Sequence, residues 1–198
     1  MSNDVYRVLV DANLLLSTTL RDWVLILCLK SGNQFYQVFT SQSILDEFGY
    51  HWRKLHPGVD DRIRQKILAR TKKTLTVVEG YPIDIPDGYP DLDDLHVHSA
   101  AVFCSADALI TDDKKLHAFA QSEKGEEQLP YEVMTCDEFL MQLTDYAPHQ
   151  LFREAYLFQE KHWEKQANSR TLPEQLHLAG APNFAEYLKL NVIHTLRD

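Results

Sequence analysis

Residues 91–116 read DLDDLHVHSAAVFCSADALITDDKKL: three carboxylates in the first four positions, an apolar run, then Asp112 and Asp113. Like charges gathered at both ends of a buried segment raise one another's pKa and cost stability unless a cation sits among them. Two more acids occupy comparable settings. Asp11 ends the apolar run VLV, and Glu47 lies one turn into an amphipathic stretch that follows a Ser. Three or four carboxylates around a small pocket form a hard-oxygen site suited to Mg²⁺ or Mn²⁺. Two such ions can activate a water and stabilise the leaving oxygen of a phosphodiester. The candidate set is Asp11, Glu47, Asp94 and Asp113, with Asp112 beside the last and Asp93 competing with Asp94. Taken singly, Asp91, Asp93, Asp107 and Asp137 read as helix caps and turn residues.

Bringing these acids together requires strands whose ends share an edge. A short β-branched and apolar run from Tyr6 ends at Asp11 and reads as a buried strand. TTLRDWVLILCLKSG follows as a helix, with Thr18 or Thr19 as N-cap and Gly32 as C-cap. QFYQVFTS alternates as a second strand, and SQSILDEFGYHWRKL starts at a Ser cap as an amphipathic helix. DDRIRQKILARTKKTL is a helix with acidic first and basic later turns, as the macrodipole favours. TLTVVEGYPID reads as a strand and PDGYPDLD as a loop. Then come helix DDLHVHSAAVFCSA, strand DALIT, a loop and short helix DDKKLHAFAQ, an exposed charged loop QSEKGEEQLP, strand YEVMT and helix CDEFLMQLTDY. Strands separated by helices imply an α/β fold with a mostly parallel sheet covered on both faces. Its sites form beyond the carboxyl ends of strands, where Asp11 and Asp113 fall.

Past Ala147 no strand pattern appears. HQLFREAYLFQEKHWEKQAN reads as one helix, and the remainder as two shorter helices separated by GAPN. The boundary lies near 146–148, giving an α/β domain over 1–147 and a helical C-terminal extension over 148–198. Tyr156, Phe158, Trp163, Phe184, Tyr187 and Leu188 in the extension must pack on something, either the first domain or a partner.

The net charge is −9, with 20 Lys+Arg against 29 Asp+Glu. A generally basic nucleic-acid binder is excluded, so any such partner must be held by a local patch and metal ions. Arg53, Lys54, Arg62, Arg64, Lys66, Arg70, Lys72 and Lys73 supply a basic stretch, which fits either an RNA-phosphate contact or a solvated helix face. Cys28, Cys104 and Cys136 are far apart in apolar contexts, as buried thiols in a reducing cytosol would be. The longest apolar run, WVLILCL, is too short to span a bilayer, and the N-terminus lacks a signal-peptide pattern. A cytoplasmic protein is expected. His96 and His98 form H-x-H, but positions two apart on a helix do not share a face, so both read as structural or supporting. Trp23, Leu25, Ile26 and Leu29 read either as core or as an apolar groove for a partner.

VLVDANLLLS, SQSILDEF, the 91–116 segment and VMTCDEFL together resemble the PIN domain, over roughly residues 5–145 and in family order. The resemblance implies a three-layer α/β/α fold with Asp11, Glu47, Asp94 and Asp113 binding one or two Mg²⁺ or Mn²⁺ ions, supported by Asn13 and Thr111. It implies RNA phosphodiester hydrolysis leaving a 5′-phosphate and a 3′-hydroxyl, with no side-chain nucleophile. Arg53, Lys54, Arg62 and Lys66 are the candidate RNA contacts. The expected role is the VapC-like toxin of a type II toxin–antitoxin pair, with an antitoxin partner and a possible homodimer. The alternatives are an RNA-processing PIN nuclease without antitoxin and a catalytically silent binding module. A haloacid-dehalogenase-type phosphatase would want Asp where Asn13 stands. A response regulator would want Asp at the end of TLTVVEG.

Overall fold

The computed structural model describes residues 5–163 and 170–197. Residues 164–168 of the expected long C-terminal helix, and the side chain of Trp163, lie outside the described residues. In chain order the elements are β1 (Tyr6–Val10), α1 (Ala12–Leu16), α2 (Thr18–Lys30), β2 (Tyr36–Ser41), α3 (Gln42–Leu55), α4 (Asp61–Lys72), β3 (Thr76–Val78), a 3₁₀ turn (Leu92–Asp94), α5 (Leu95–Phe103), β4 (Ala108–Ile110), α6 (Lys114–Ala120), α7 (Glu123–Gln128), β5 (Glu132–Met134), α8 (Cys136–Thr144), α9 (His149–Trp163), α10 (Leu172–Ala179), α11 (Pro182–Tyr187), a π-helical turn (Leu188–Ile193) and α12 (His194–Arg197). They group into two compact units. One holds residues 1–16 and 36–134, the other 17–35 and 135–198.

All five strands belong to the first unit and pair in the order β3-β2-β1-β4-β5, every pair parallel. The expected α/β class therefore holds, with a fully parallel central sheet. Val8, Leu9 and Val10 of the central strand are wholly buried, which is why that strand reads as a continuous apolar run instead of an alternating one. The order reverses at β1, whose neighbours are β2 and β4. A crevice opens beyond the strand ends at such a reversal. Asp11 follows β1 and Thr111 follows β4 there, tied by the bond that the Asp11 N–H donates to the Ile110 carbonyl at 3.1 Å.

Among the described residues, the regular elements of the second unit are all helical. The ring of Trp23 on α2 meets Phe184 edge-on at 5.2 Å, and Phe184 lies near Phe152 of α9 at 6.0 Å. Thr171 opens α10 with a reciprocal capping box to Glu174, and Gly180 closes it at φ 100°, a conformation that favours glycine. The next helix begins at Pro182, so the expected break at GAPN is present. Asp137 is buried at the start of α8, where its carboxylate accepts bonds from the Asn183 N–H, the Asn183 amide and the Phe184 N–H. It caps α11, not its own helix.

Several local expectations are corrected. Ser17, not Thr18 or Thr19, is the N-cap of α2, accepting from the Leu20 N–H at 3.3 Å. That helix closes at Ser31, with Gly32 just beyond it at φ 61°. The strand expected over TLTVVEGYPID ends at Val78; Gly80 at φ 70° and then Pro82, which lacks a ladder donor, interrupt the extended run. QSEKGEEQLP is not a loop but contains α7, capped by the Ser122 hydroxyl accepting from the Gly125 N–H. A side chain at Gly125 would collide with the Phe119 carbonyl, so this turn needs glycine. Trp23 and Leu25 are core, Ile26 is half-buried and Leu29 is exposed. All three cysteines are buried and free. Among the described residues no helix is long and apolar enough to cross a membrane.

Candidate functional site

Asp11 sits where β1 gives way to α1, beyond the carboxyl end of the central strand. Its Oδ1 accepts the Ala12 N–H, and its Oδ2 accepts both the Asn13 amide at 2.9 Å and the Thr111 hydroxyl at 2.8 Å. The same Asn13 amide also donates to the Thr111 oxygen at 2.9 Å. Asn13 and Thr111 thus lock the carboxylate between the ends of β1 and β4. Burial pushes the Asp11 pKa up to about 6, against the pull of these bonds, and the negative charges of Glu47 and Asp94 add to the rise.

Glu47 is brought in from α3, whose N-terminus is fixed by the Ser41 hydroxyl accepting from the Ile44 N–H. His96 Nε2 approaches Glu47 Oε2 at 3.3 Å, an ion-pair distance without hydrogen-bond alignment. Glu47 and the Asp93 carbonyl, which faces His96 Nδ1, hold the imidazole pKa above its ordinary value. His51 reaches the other oxygen of Glu47 at 3.7 Å. Asp94 occupies the N-cap position of α5 yet makes no side-chain cap bond. Its pKa is raised, first by burial and then by Asp91, Glu47 and Asp113. Asp93, one position earlier, is exposed, whereas Asp94 is half-buried. Asp91 accepts from the Asp93 N–H and receives the Lys115 ammonium at 3.2 Å, consistent with a cap and a surface pair.

Thr111 is buried, and its hydroxyl also accepts the Asp113 N–H at 3.2 Å. His117 of α6 contacts its carbonyl at 2.9 Å. Asp113 is half-buried and caps α6 through the Lys115 N–H at 2.8 Å, while Asp112 points to the exposed side. Asp11, Glu47 and Asp94 therefore interact directly in charge, and Asp113 acts on Asp94. Asp112 and Asp93 are peripheral. His98, in contrast, is wholly buried and holds the 80–90 loop: one ring nitrogen meets the Tyr131 hydroxyl at 2.7 Å, the other the Asp84 carboxylate at 3.2 Å. Its partners are not those of His96, as expected of two helix positions that do not share a face.

The basic candidates lie at the end of α3 and on α4. Arg53 and Arg64 both reach Asp61, Arg62 reaches Asp60, and the Lys54 ammonium lies over the Tyr50 ring at 4.2 Å. Arg53, Lys54, Arg62 and Lys66 are exposed. Tyr89 is a residue that sequence reasoning missed. It stands in the Pro- and Gly-rich loop with no recognisable motif, 7% exposed, its hydroxyl without a hydrogen-bond partner.

The donor set fits a hard divalent cation. Every candidate ligand is an oxygen, and the buried Glu47 Oε2 and Asn13 Oδ1 lack donors. Burial first, and then neighbouring acid charges, raise the pKa of both Asp11 and Asp94, and a cation among these carboxylates would offset that charge. Among the described residues no three acid, His or Cys side chains are already spaced to hold an ion.

A family model described as PIN domain matches residues 7–115, more than half of the chain. No curated protein and no solved structure matches.

Proposed function

Because the chain belongs to the PIN-domain family, whose members are generally nucleases, we propose that it is a Mg²⁺- or Mn²⁺-dependent endoribonuclease. The observation that carries this reading is the convergence of Asp11, Glu47 and Asp94, from three separate elements, onto one another's charge beyond the strand ends. Asp11, Glu47, Asp94 and Asp113 would hold the metal, with Asp112 near enough in sequence to contribute. Bound there, the cation supplies an activated water and stabilises the leaving oxygen of the phosphodiester. The chain's own part is to fix the first carboxylate through Asn13 and Thr111 and to set Glu47 beside His96. Arg53, Lys54, Arg62 and Lys66 would contact RNA phosphates.

The finer proposal is the toxin of a type II toxin–antitoxin pair, acting in the cytoplasm with an antitoxin partner. An RNA-processing PIN nuclease without antitoxin is the alternative, and a small DNA-binding reading frame next to the gene separates the two. The working division remains a nuclease domain over 1–147 with a helical extension. The test is cleavage of total RNA by purified protein with Mn²⁺. Cleavage lost both in EDTA and in Asp11→Asn is expected. Cleavage that persists undiminished in either sinks the proposal.

A further inference from the structure

We propose that Lys115 is a substrate-binding residue of the acidic site: its ammonium leaves Asp91 to take a phosphate of the RNA strand beside the carboxylates. The inference rests on the ribonuclease reading above and adds to it a cation at the site itself, apart from the basic stretch of α3 and α4.

Hydrogen bonds place Lys115 between the two arms of the site. Its N–H donates to the Asp113 carboxylate at 2.8 Å, the Asp113 N–H donates to the Thr111 hydroxyl at 3.2 Å, and that hydroxyl donates to Asp11 at 2.8 Å. On the other side the Lys115 ammonium meets the Asp91 carboxylate at 3.2 Å, and the Asp91 carbonyl accepts the Asp94 N–H at 3.2 Å. One residue in the first turn of α6 is thus tied by its backbone to the arm that carries Asp113 and Asp11, and by its side chain to the turn that carries Asp94. Of the two lysines that follow Asp112 and Asp113, Lys115 is therefore the one that joins both acidic ends of the 91–116 segment.

The pair is suited to exchange. The Lys115 side chain is 68% exposed, and an ion pair so open to water contributes little to stability. A phosphate oxygen offers the ammonium the same charge-assisted bond that Asp91 gives it, and Asp91, left behind near the surface, can be solvated. The charges around it make such a cation necessary. Asp11, Asp91, Asp94 and Asp113 are strung along these bonds, in a chain of net charge −9. Four carboxylates outweigh one divalent ion, so an approaching phosphodiester meets repulsion that a lysine on its flexible stem can offset. Arg53, Arg62 and Arg64, in contrast, are paired with Asp60 and Asp61 at the start of α4.

The test is binding of a fluorescein-labelled phosphorothioate RNA, a single strand that resists hydrolysis, to the full chain. It is read by fluorescence anisotropy over a KCl series with Ca²⁺ present. Lys115→Gln is expected to lower affinity and to flatten the slope of log affinity against log salt by about 0.7, the share of one phosphate on a single strand. Lys115→Arg should keep the slope. Asp91→Asn frees the ammonium and is expected to tighten binding, and this gain should shrink when Lys115 is already changed to Gln. A lysine that only ties the turn to α6 predicts otherwise: Lys115→Gln and Asp91→Asn would both loosen the site and act in the same direction. Effects in the same direction, an Asp91→Asn gain of equal size in both backgrounds, or a slope unmoved by Lys115→Gln overturn the proposal while the ribonuclease reading stands. A folded wild-type chain that binds no RNA overturns both.

Discussion

Asp11 is where burial and charge oppose each other most directly, and the sign of that conflict can be tested. Its folded pKa of about 6 lies above the ordinary aspartate value of 3.8. The folded state therefore binds the proton more tightly than the unfolded chain does. The penalty is absent below about pH 4, grows as pH rises, and is complete above pH 6, where it reaches at most about 3 kcal/mol. Asp11→Asn removes the charge but also weakens the bonds from Ala12, Asn13 and Thr111, so the net gain is smaller. In metal-free protein at pH 8, urea unfolding should find Asp11→Asn more stable than wild type by about 1–3 kcal/mol. At pH 4 that advantage should vanish. A variant less stable than wild type at pH 8 would show that the three bonds outweigh the charge. The acids themselves stand out in the sequence, because Asp11 and Asp113 follow strands, Asp94 opens a helix and Glu47 lies a turn into one. Asp94 and Asp93 could not be separated there, since one residue of difference in a 3₁₀ turn decides which is exposed. Tyr89 was not legible at all: its environment is made by a loop fold and by residues from α5 and α6.

At the scale of elements, periodicity found the strands and helices, and capping chemistry acting over long sequence separations escaped it. Asp137 reads from sequence as a cap for its own helix, and Thr135 takes that role instead. The Asp137 carboxylate serves α11, 46 residues away. Replacing it by Ala strands the buried Phe184 N–H, an orphan that costs about 1–3 kcal/mol, while the exposed Asn183 can turn to water. Asp137→Ala should therefore lower stability by about 1–3 kcal/mol in urea unfolding. Asp137→Asn, which keeps one acceptor oxygen, should lose less. Equal losses would mean that volume, not hydrogen bonding, is what the site needs. The helix in QSEKGEEQLP was missed for a related reason. Its composition is polar and its only packing signal is a glycine, whose close approach to the Phe119 carbonyl belongs to the tertiary fold.

For the whole molecule, the grouping of residues 17–35 with 135–198 follows from the longest apolar run in the chain. WVLILCL is buried on most sides, and within its unit Trp23 finds Phe184 and Lys30 reaches the Phe158 ring. No local pattern announces this, because an apolar helix reads the same whichever core it joins. Charge is distributed as unevenly as packing. A net −9 chain repels RNA at long range, so an exposed basic stretch must carry any phosphate contact. Three of the four candidates have acidic or aromatic neighbours, Arg53 with Asp61, Arg62 with Asp60 and Lys54 with Tyr50. Those surface pairs are weak and can be exchanged for phosphates at little cost. Each phosphate contact contributes about 0.7 to the slope of log affinity against log salt for a single strand. Changing Arg53, Lys54, Arg62 and Lys66 together to Gln should therefore lower RNA affinity and flatten that slope by up to about 3, read by fluorescence anisotropy over a KCl series. An unchanged slope would make the stretch a solvated helix face and send the search for the RNA path to another surface of the strand-bearing unit.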